Sequence, residues 1–493
     1  MTDVLVPTTA GKLRGAVDDG IAVFKGIPYA APPVGERRFR RPAPVEPWTE
    51  TRDALAYGPS CPQPSQRPPG WSQEEREDED CLYLNVWTPD ASTATKRPVM
   101  VWIHGGGYAI GSGSWPLYDG AALARRGDVV VVTVNHRLGP LGYLHLDGLV
   151  DGEGFEASGN NGMLDLVAVL EWVRDEIGAF GGDPGNVTLF GESGGGAKIS
   201  VLLAMPAARG LFHRAAIQSG PGLRVTKPAR STEQAKKLLA ELGIAEGGGT
   251  SALWSIPAER FVEAGGAVGR MGFSPVLDGT VIPSHPGDAL ADGSATDVPV
   301  LIGCNRDESA GMLPKELDDA GLRTRLAAYG DDHVDEILDV YRGLFPDASN
   351  VDILSFVLTD SRMRYGSIRL AELKGKGTAS PVFQFFFTYE LGGRAGHGYE
   401  IAFVFDNIRE PISHPSPARL ALAEQMSEAW IAFARDGDPG HAGIPKWPAF
   451  TPPERSTMVF GREGATLVED PSGAARELWD RLLTRTSAPP ATE

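Results

Sequence analysis

The sequence predicts an α/β fold in which a large, mostly parallel, twisted sheet carries helices on both faces. Short apolar runs alternate along the chain with longer stretches that place apolar residues at helical spacing. The run DVVVVTVNHR at 128–137 is β-branched and apolar throughout its middle, as in a strand that is covered on both faces. A chain of 493 residues is long enough for one such sheet-centred unit with a large core.

The predicted elements follow one another in a regular order. Residues 1–60 predict short strands and turns, and residues 62–80 predict a polar, proline-rich surface loop. Further strands are predicted at 82–89, 98–107, 128–137, 186–191, 214–220, 298–304, 381–390 and 456–461, and helices at 162–180, 197–205 and 419–437. The blocks at about 225–295 and 315–375 are helical and polar. We expect them to be helical insertions that form a lid or the rim of a gorge on a single domain spanning residues 1–493.

Composition and charge exclude several classes of protein. The chain is 42% hydrophobic and 22% charged, which excludes a disordered polyampholyte. The net charge of −18 and the lack of a Lys/Arg-rich run disfavour a nucleic-acid partner. An acidic surface also disfavours anionic substrates and anionic membranes, although salt weakens that effect. No window of 18 uninterrupted apolar residues and no signal-peptide pattern occur, so we expect a cytoplasmic protein without a membrane partner.

The three cysteines, Cys61, Cys81 and Cys304, do not have the spacing of metal ligands. Cys61 and Cys81 are close enough in sequence to close a short loop by a disulfide, whereas free thiols are the default in a reducing cytoplasm. The sequence leaves these two alternatives open. It predicts neither a metal nor another cofactor.

The segment LFGESGGGA at 189–197 places Ser193 among glycines, after a predicted strand and before a predicted helix. Such a strand–turn–helix holds a serine hydroxyl up at the end of a sheet, beside the free N–H groups of a helix N-terminus. The alternative is a serine that only caps the helix. The context favours a nucleophile.

A nucleophilic serine needs hydrogen-bond donors for the oxyanion that forms on its substrate. The run HGGG at 104–107 ends a predicted strand, and consecutive glycines leave backbone N–H groups that can converge on one oxygen. We expect the donors to be the N–H groups of Gly106, Gly107 and Gly194. A glycine loop that precedes the serine turn is also the order found in acyl-transfer hydrolases.

The serine also needs a base, and in the chain order nucleophile–acid–base this base comes well after the serine. Among the nine histidines, His397 lies in a glycine-rich loop directly after the predicted strand 381–390. The other late histidines lie in loops that no strand precedes or in an acidic helical stretch. The acid is expected between Ser193 and His397 at a strand end, where Asp307 and Glu308 both follow strand 298–304. Spacing alone does not choose between these two carboxylates.

With these residues assembled, the chain resembles the type-B carboxylesterase/lipase family of the α/β-hydrolase fold, which includes cholinesterases and bacterial para-nitrobenzyl esterases. The resemblance runs from about residue 5 to residue 470, and the bacterial esterases are the most similar branch. It rests on these stretches, in this order: FKGIPYAAPPVGERRF (24–39), EDCLYLNVWTP (79–89), VWIHGGGYAIGSG (101–113), VNHRLGPLGYL (134–144), AFGGDPGNVTLFGESGGG (179–196), NRDES (305–309) and GHGYEIAFVF (396–405).

The resemblance implies a catalytic triad of Ser193 as nucleophile, His397 as base and Glu308 as acid. It selects Glu308 over Asp307, which is left with a supporting position behind the triad. Further site residues implied by the family are Ser219, which helps to order the acid and the histidine, and Glu192, which lines the site.

Three residues depart from the family pattern, and one cysteine pair matches it. Gly194 follows the nucleophile where relatives usually carry Ala, Tyr108 stands where they often carry Phe, and Ser309 stands where Gly is common. Cys61 and Cys81 match a disulfide pair of secreted relatives. Additional candidates for the rim of the site are Trp71, Trp115, Tyr118 and Met271.

The resemblance therefore predicts a serine carboxylesterase that cleaves carboxylic esters through an acyl-enzyme intermediate. The expected alcohols are small to medium in size, and the roomy glycine loop extends the range to bulky ones. The expected partner is a small-molecule ester, and the expected state is a monomer or a weak homo-oligomer. The alternatives are a carbamate or amide hydrolase with the same triad and a non-catalytic, cholinesterase-like binding protein.

Overall fold

The computed structural model describes residues 2–65, 76–245, 247, 249–269, 272–376, 380–409 and 414–485. Its strands are β1 (Thr2–Pro7), β2 (Lys12–Asp18), β3 (Ile21–Pro28), β4 (Arg52–Asp53), β5 (Tyr83–Thr88), β6 (Arg97–Ile103), β7 (Val130–Val134), β8 (Gly182–Glu192), β9 (Arg214–Gln218), β10 (Val300–Asn305), β11 (Val382–Phe387), β12 (Ser456–Gly461) and β13 (Gly464–Glu469). Its helices are α1 (Ala121–Gly127), α2 (Gly139–Tyr143), α3 (Asn161–Glu176), α4 (Gly194–Leu202), α5 (Pro228–Glu241), α6 (Ser251–Ser255), α7 (Ala258–Val268), α8 (Pro286–Ala291), α9 (Asp319–Leu326), α10 (Val334–Leu344), α11 (Asn350–Thr359), α12 (Tyr365–Gly375), α13 (Ile401–Val404), α14 (Pro417–Asp436) and α15 (Gly473–Arg485).

The described strands join one sheet in the order β1-β2-β3-β5-β7-β6-β8-β9-β10-β11-β12-β13, with β4 beside β2. Neighbouring strands are parallel from β7 to β12, whereas those from β1 to β7 and the last pair, β12 and β13, are antiparallel. The carboxyl ends of parallel strands meet at one edge of a sheet. The loops that follow β8, β10 and β11 therefore open at the same edge.

Helices cover both faces of this sheet, because successive side chains of a strand point to opposite faces. On β6, Val101 belongs to the core on the side of α3, while its neighbour Trp102 belongs to the core on the side of α14. Both side chains are buried, and full burial of an apolar side chain of this size contributes about 1.5–3 kcal/mol. The predicted α/β fold class, with a mostly parallel sheet between helices, is confirmed.

The two polar blocks of the sequence are helical. Helices α5 to α8 lie within residues 225–295, and α9 to α12 lie within residues 315–375. Helices α9 to α11 pack with α15 around a separate apolar cluster that includes Tyr341 and Trp479.

Two elements near the C-terminus are absent from the sequence prediction. Strand β13 is an edge strand with mostly exposed side chains, so it carries no apolar run. Helix α15 does carry a signal, since Ala475, Leu478, Trp479 and Leu482 recur at helical spacing and are buried.

The structure has Cys61, Cys81 and Cys304 as buried free thiols. The Sγ of Cys61 accepts a hydrogen bond from the N–H of Leu138 at 3.3 Å. A hydrogen bond with Cys61, together with burial, raises the pKa of the Cys81 thiol. Across the described ranges, no helix is both long and apolar enough to cross a membrane.

Candidate active site

Ser193 occupies a sharp turn between the end of β8 and the start of α4. Its backbone has φ 55° and ψ −118°, a conformation that a residue with a side chain rarely adopts. Two hydrogen bonds hold it there: its N–H donates to the carbonyl of Gln218 at 2.8 Å, and its carbonyl accepts from the N–H of Ala197 at 3.0 Å. The turn presents the hydroxyl at the edge of the sheet.

The position after Ser193 has no room for a side chain. A Cβ on Gly194 would lie 2.2 Å from the carbonyl oxygen of Gly107 and 2.5 Å from its nitrogen. Glycine at 194 thus permits the start of α4 to touch the glycine loop that follows β6. The structure accounts in this way for the departure from alanine that the sequence presents here.

His397 connects the serine to a carboxylate. Its Nε2 lies 2.8 Å from the Oγ of Ser193, and its Nδ1 is hydrogen-bonded to the carboxylate of Glu308. A carboxylate only accepts hydrogen bonds, so Nδ1 carries the proton and Nε2 is left to accept the serine hydroxyl. These residues are separated by up to 204 positions in the chain, and the sheet edge brings them together.

Glu308 is held by three groups besides the imidazole. One carboxylate oxygen accepts hydrogen bonds from the hydroxyl of Ser219 at 2.5 Å and from the N–H of Asn305 at 2.6 Å. Its own N–H donates to the hydroxyl of Thr359 at 3.0 Å. Three of its contacts are therefore fixed before any substrate arrives, and one of them is with Ser219.

Asp307 points away from the imidazole, in contrast to its neighbour. It accepts a hydrogen bond from the N–H of Ala395 at 2.9 Å and forms ion pairs with Arg306 at 2.8 Å and Arg394 at 3.4 Å. Asp307 therefore anchors the loop that carries His397. This geometry distinguishes the two adjacent carboxylates that spacing could not.

Glu192 is a second carboxylate beside the imidazole. Its Oε1 lies 3.2 Å from the Nε2 of His397 and has no hydrogen-bond partner among the described residues. Burial raises the pKa of Glu192 to about 8. Burial also acts to lower the pKa of His397, but the carboxylates of Glu192 and Glu308 outweigh it and raise that pKa above its ordinary value.

Glu400 is a third buried carboxylate that sequence reasoning missed. It accepts hydrogen bonds from the side-chain amides of Gln218 at 3.0 Å and Asn305 at 2.6 Å. Burial raises the pKa of Glu400 to about 7. The only available signal was its place three residues after His397, which by itself does not predict a role.

Lys198 is another residue that sequence reasoning missed. It is fully buried on α4, and its Nζ donates to the carbonyls of Gly107 at 2.7 Å and His104 at 3.2 Å. These carbonyls flank the N–H groups of Gly106 and Gly107, whose φ values are 85° and 63°. Burial lowers the pKa of Lys198 to about 7. The sequence did carry a signal for this residue, because a lysine within the apolar stretch AKISVLLAM is unusual, but that signal was not used.

The remaining candidates for the rim of the site lie in different places. Tyr108 lies next to the glycine loop, packs edge-on against Tyr143 at 5.2 Å and has the Nζ of Lys198 5.5 Å from its ring centre. Trp115 is buried and stacked on Tyr118, and no described hydrogen bond or ring contact joins it to Ser193 or His397. Trp71 and Met271 lie outside the described residues. Within the described ranges, no cluster of three or more His, Cys, Asp or Glu side chains could hold a metal ion.

Comparison with known proteins assigns this arrangement to a family. The sequence profile of the carboxylesterase family matches residues 2–479. The chain is 38% identical to the para-nitrobenzyl esterase of Bacillus subtilis (strain 168), over 97% of this chain and 98% of that protein. It is 36% identical to the phenmedipham hydrolase of Pseudarthrobacter oxydans, over 95% of this chain and 97% of that protein.

A solved structure gives the same result. The crystal structure of a carboxylesterase from Geobacillus stearothermophilus superposes with a TM-score of 0.85 at 39% identity, over 96% of this chain and 99% of that one. The profile match and these identities show the family resemblance that the sequence predicted. The chain belongs to the carboxylesterase family of the α/β-hydrolase fold and is a carboxylic ester hydrolase.

Proposed function

We propose that Ser193, His397 and Glu308 form the catalytic triad of a serine carboxylesterase. The observation that supports it is the continuous hydrogen-bonded chain from the serine hydroxyl through both imidazole nitrogens to a buried carboxylate. In this mechanism Nε2 of His397 takes the proton of Ser193, whose Oγ attacks the ester carbonyl. Glu308 holds the imidazole in the tautomer that the transfer needs and stabilises the imidazolium.

The same proposal assigns the oxyanion to the glycine loop. As the tetrahedral intermediate forms, the N–H groups of Gly106, Gly107 and Gly194 donate to its negatively charged oxygen. The imidazolium then protonates the leaving alcohol, and an acyl-enzyme remains on Ser193. Water, deprotonated by His397, attacks the acyl carbon, and collapse of the second intermediate releases the acid and restores the serine hydroxyl.

The proposed substrates are carboxylic esters of small to medium alcohols and of bulky ones that the open glycine loop can accept. A matched panel of an ester, an amide and a carbamate with one acyl group and one leaving group tests this preference. We expect kcat/KM to be highest for the ester. A higher value for the carbamate or the amide would instead make the chain a hydrolase of that class with the same triad.

The decisive test of the triad is Ser193→Ala. We expect turnover of para-nitrophenyl butyrate to fall by about 10⁵-fold or more, because the attacking oxygen is gone. A fluorophosphonate should label the unaltered protein at Ser193 and leave the variant unlabelled, and the thermal unfolding midpoint controls for folding. Retained turnover in a folded variant would refute the assignment.

Three further properties are proposed on separate grounds. The chain works in the cytoplasm, since the free thiols of Cys61 and Cys81 suit a reducing compartment. Its residues 1–493 form a single catalytic domain, and it is a monomer or a weak homo-oligomer. Alkylation of thiols in intact cells, calorimetric unfolding and sedimentation test these properties in turn. A disulfide, two separate transitions or a stable large assembly would contradict them.

A further inference from the structure

A large cleft opens beside the nucleophile turn. It has a volume of about 1030 Å³, and Tyr108 of the glycine loop lines its inner part together with Pro221 and Gly222. Gly220, which precedes Pro221, packs directly against the serine turn. A Cβ on Gly220 would lie 2.1 Å from the carbonyl oxygen of Ser193. A substrate bound to Ser193 therefore has this cleft next to it.

The ionisable side chains that line the cleft are mostly basic, whereas the protein as a whole has a negative net charge. The chain has 64 acidic and 46 basic side chains, yet among the described residues a single acidic one, Asp288, lines the cleft. Its five basic residues come from the segment around the start of α5 and from the start of α12. They are Arg224, Lys227, Arg230, Arg362 and Arg369. We call this feature the basic cleft.

Most of these basic side chains form no direct ion pair with a carboxylate of the described residues. Arg369 forms an ion pair with Glu372 at 2.8 Å. The other four cations have no carboxylate within 4.0 Å among the residues that the structure describes. Neighbouring cations that lack acidic partners repel one another, and an anion placed between them relieves that repulsion.

The cleft also offers apolar surface between its basic rim and the serine. Leu223, Val225 and Leu373 line it together with the ring of Tyr365. Such a surface accepts a hydrocarbon segment, while guanidinium groups bind carboxylate or phosphate oxygens through charge-assisted and often bidentate hydrogen bonds.

We propose that the basic cleft recognises an anionic group, such as a carboxylate, carried by the ester at a distance from its scissile bond. This inference rests on the proposed function of Ser193 and adds a substrate class to it. It differs from the expectation, drawn from the net charge, that anionic substrates are disfavoured. Exposed charges interact over about 10 Å at 0.1 M salt, so the local lining outweighs the distant acidic surface.

Matched ester pairs test the proposal. The acyl-side pairs are para-nitrophenyl monoesters of adipic and suberic acids against the hexanoate and octanoate esters, and the alcohol-side pair is 4-carboxyphenyl butyrate against phenyl butyrate. We expect kcat/KM for the anionic member of at least one pair to exceed that of its neutral partner. Raising NaCl from about 20 mM to about 300 mM should reduce that preference, because salt screens the cations.

The double variant Arg224→Gln/Arg362→Gln should lower the anionic preference roughly tenfold and leave kcat/KM for the neutral esters within about twofold. Its matched control is Arg260→Gln/Arg323→Gln, which removes the same charge from two exposed arginines that do not line the cleft. The control should keep the preference of the unaltered protein.

Two results would overturn the proposal: no anionic preference in any pair, or equal losses in the cleft variant and the control. Hydrolysis of the neutral esters separates this outcome from failure of the proposed function. If the unaltered protein does not hydrolyse neutral esters, the esterase mechanism fails, whereas hydrolysis without an anionic preference refutes the cleft alone.

Discussion

The two sides of Ser193 carry buried ionisable groups of opposite type. On the imidazole side, three buried acidic side chains, Glu192, Glu308 and Glu400, lie around or behind His397. On the side of the glycine loop, the buried ionisable group is the amine of Lys198, bonded to the carbonyl of Gly107. The difference matches the two tasks of the proposed mechanism. In that mechanism a proton moves from serine toward the acidic side, while negative charge develops on the substrate toward the lysine side.

The two sides also differ in how their charges are held. Glu308 has hydrogen bonds from a hydroxyl, a backbone N–H and the imidazole, which fix its position. Lys198 donates to carbonyl oxygens of the glycine loop, whose N–H groups are the proposed oxyanion donors. We expect removal of a charge on the imidazole side to lower kcat more than removal of the lysine does, since only the imidazole side takes part in the proposed proton transfer.

The largest effect within this comparison is expected for Glu308→Gln. The amide can offer a donor instead of an acceptor to Nδ1, which destabilises both the reactive tautomer and the imidazolium. We expect kcat to fall by about 10⁴-fold. The measurement is steady-state hydrolysis of para-nitrophenyl butyrate.

Asp307→Asn is the matched control, since it alters the adjacent carboxylate that only anchors the histidine loop. It should lower the thermal unfolding midpoint and reduce kcat far less than Glu308→Gln does. Equal losses of kcat from the two variants would contradict the division of roles between these neighbours.

An intermediate effect is expected for Lys198→Met. The apolar chain fills similar space but releases the carbonyls of Gly107 and His104 and removes the positive charge behind the loop. We expect kcat to fall roughly tenfold to a hundredfold with little change in KM, because the oxyanion exists only during the reaction.

The control for Lys198 is Lys374→Met, which removes a second fully buried lysine whose Nζ donates to the carbonyl of Thr296. Both variants should lose stability, and only Lys198→Met should lose kcat. If the two changes lower kcat alike, Lys198 has no specific role on the loop.

The smallest effect is expected for Glu192→Gln, and it concerns pH. Carboxylates raise the pKa of His397, so the neutral imidazole that acts as base is lost at a higher pH than for an ordinary histidine. Activity should therefore fall as pH decreases through this raised pKa. Removing the Glu192 charge should move this acid limb of kcat/KM to lower pH by up to about one unit.

The pH profile of kcat/KM for a neutral ester measures this shift, and Glu233→Gln, an exposed change on α5, serves as control. A limb that stays in place or moves to higher pH would show that Glu192 does not act on the imidazole. An unperturbed histidine would place this limb at about pH 6–7.

Particular residues show how far sequence reasoning reached. Strong periodic segments such as 128–137 and 162–180 were assigned correctly as β7 and α3, with boundaries shifted by a few residues. Ser193 and His397 were proposed as nucleophile and base because each follows a buried strand and lies among glycines. Sequence reasoning missed Lys198, Gln218 and Glu400. Their hydrogen-bond partners lie on other elements, and no local sequence pattern predicts such contacts.

The sequence by itself determined the sheet-centred fold, the strained serine turn and the candidate base, because apolar periodicity and glycine placement are local properties of the chain. Spacing left Glu308 and Asp307 open and the family resemblance selected Glu308, but only the tertiary structure showed that Glu308 faces the imidazole while Asp307 holds a loop. It also showed that a lysine supports the glycine loop. The tertiary structure also gathered basic side chains into one cleft of an acidic protein. The direction of a side chain and the summed electric field of distant charges depend on how the elements pack. Neither can be predicted from a single segment of the sequence.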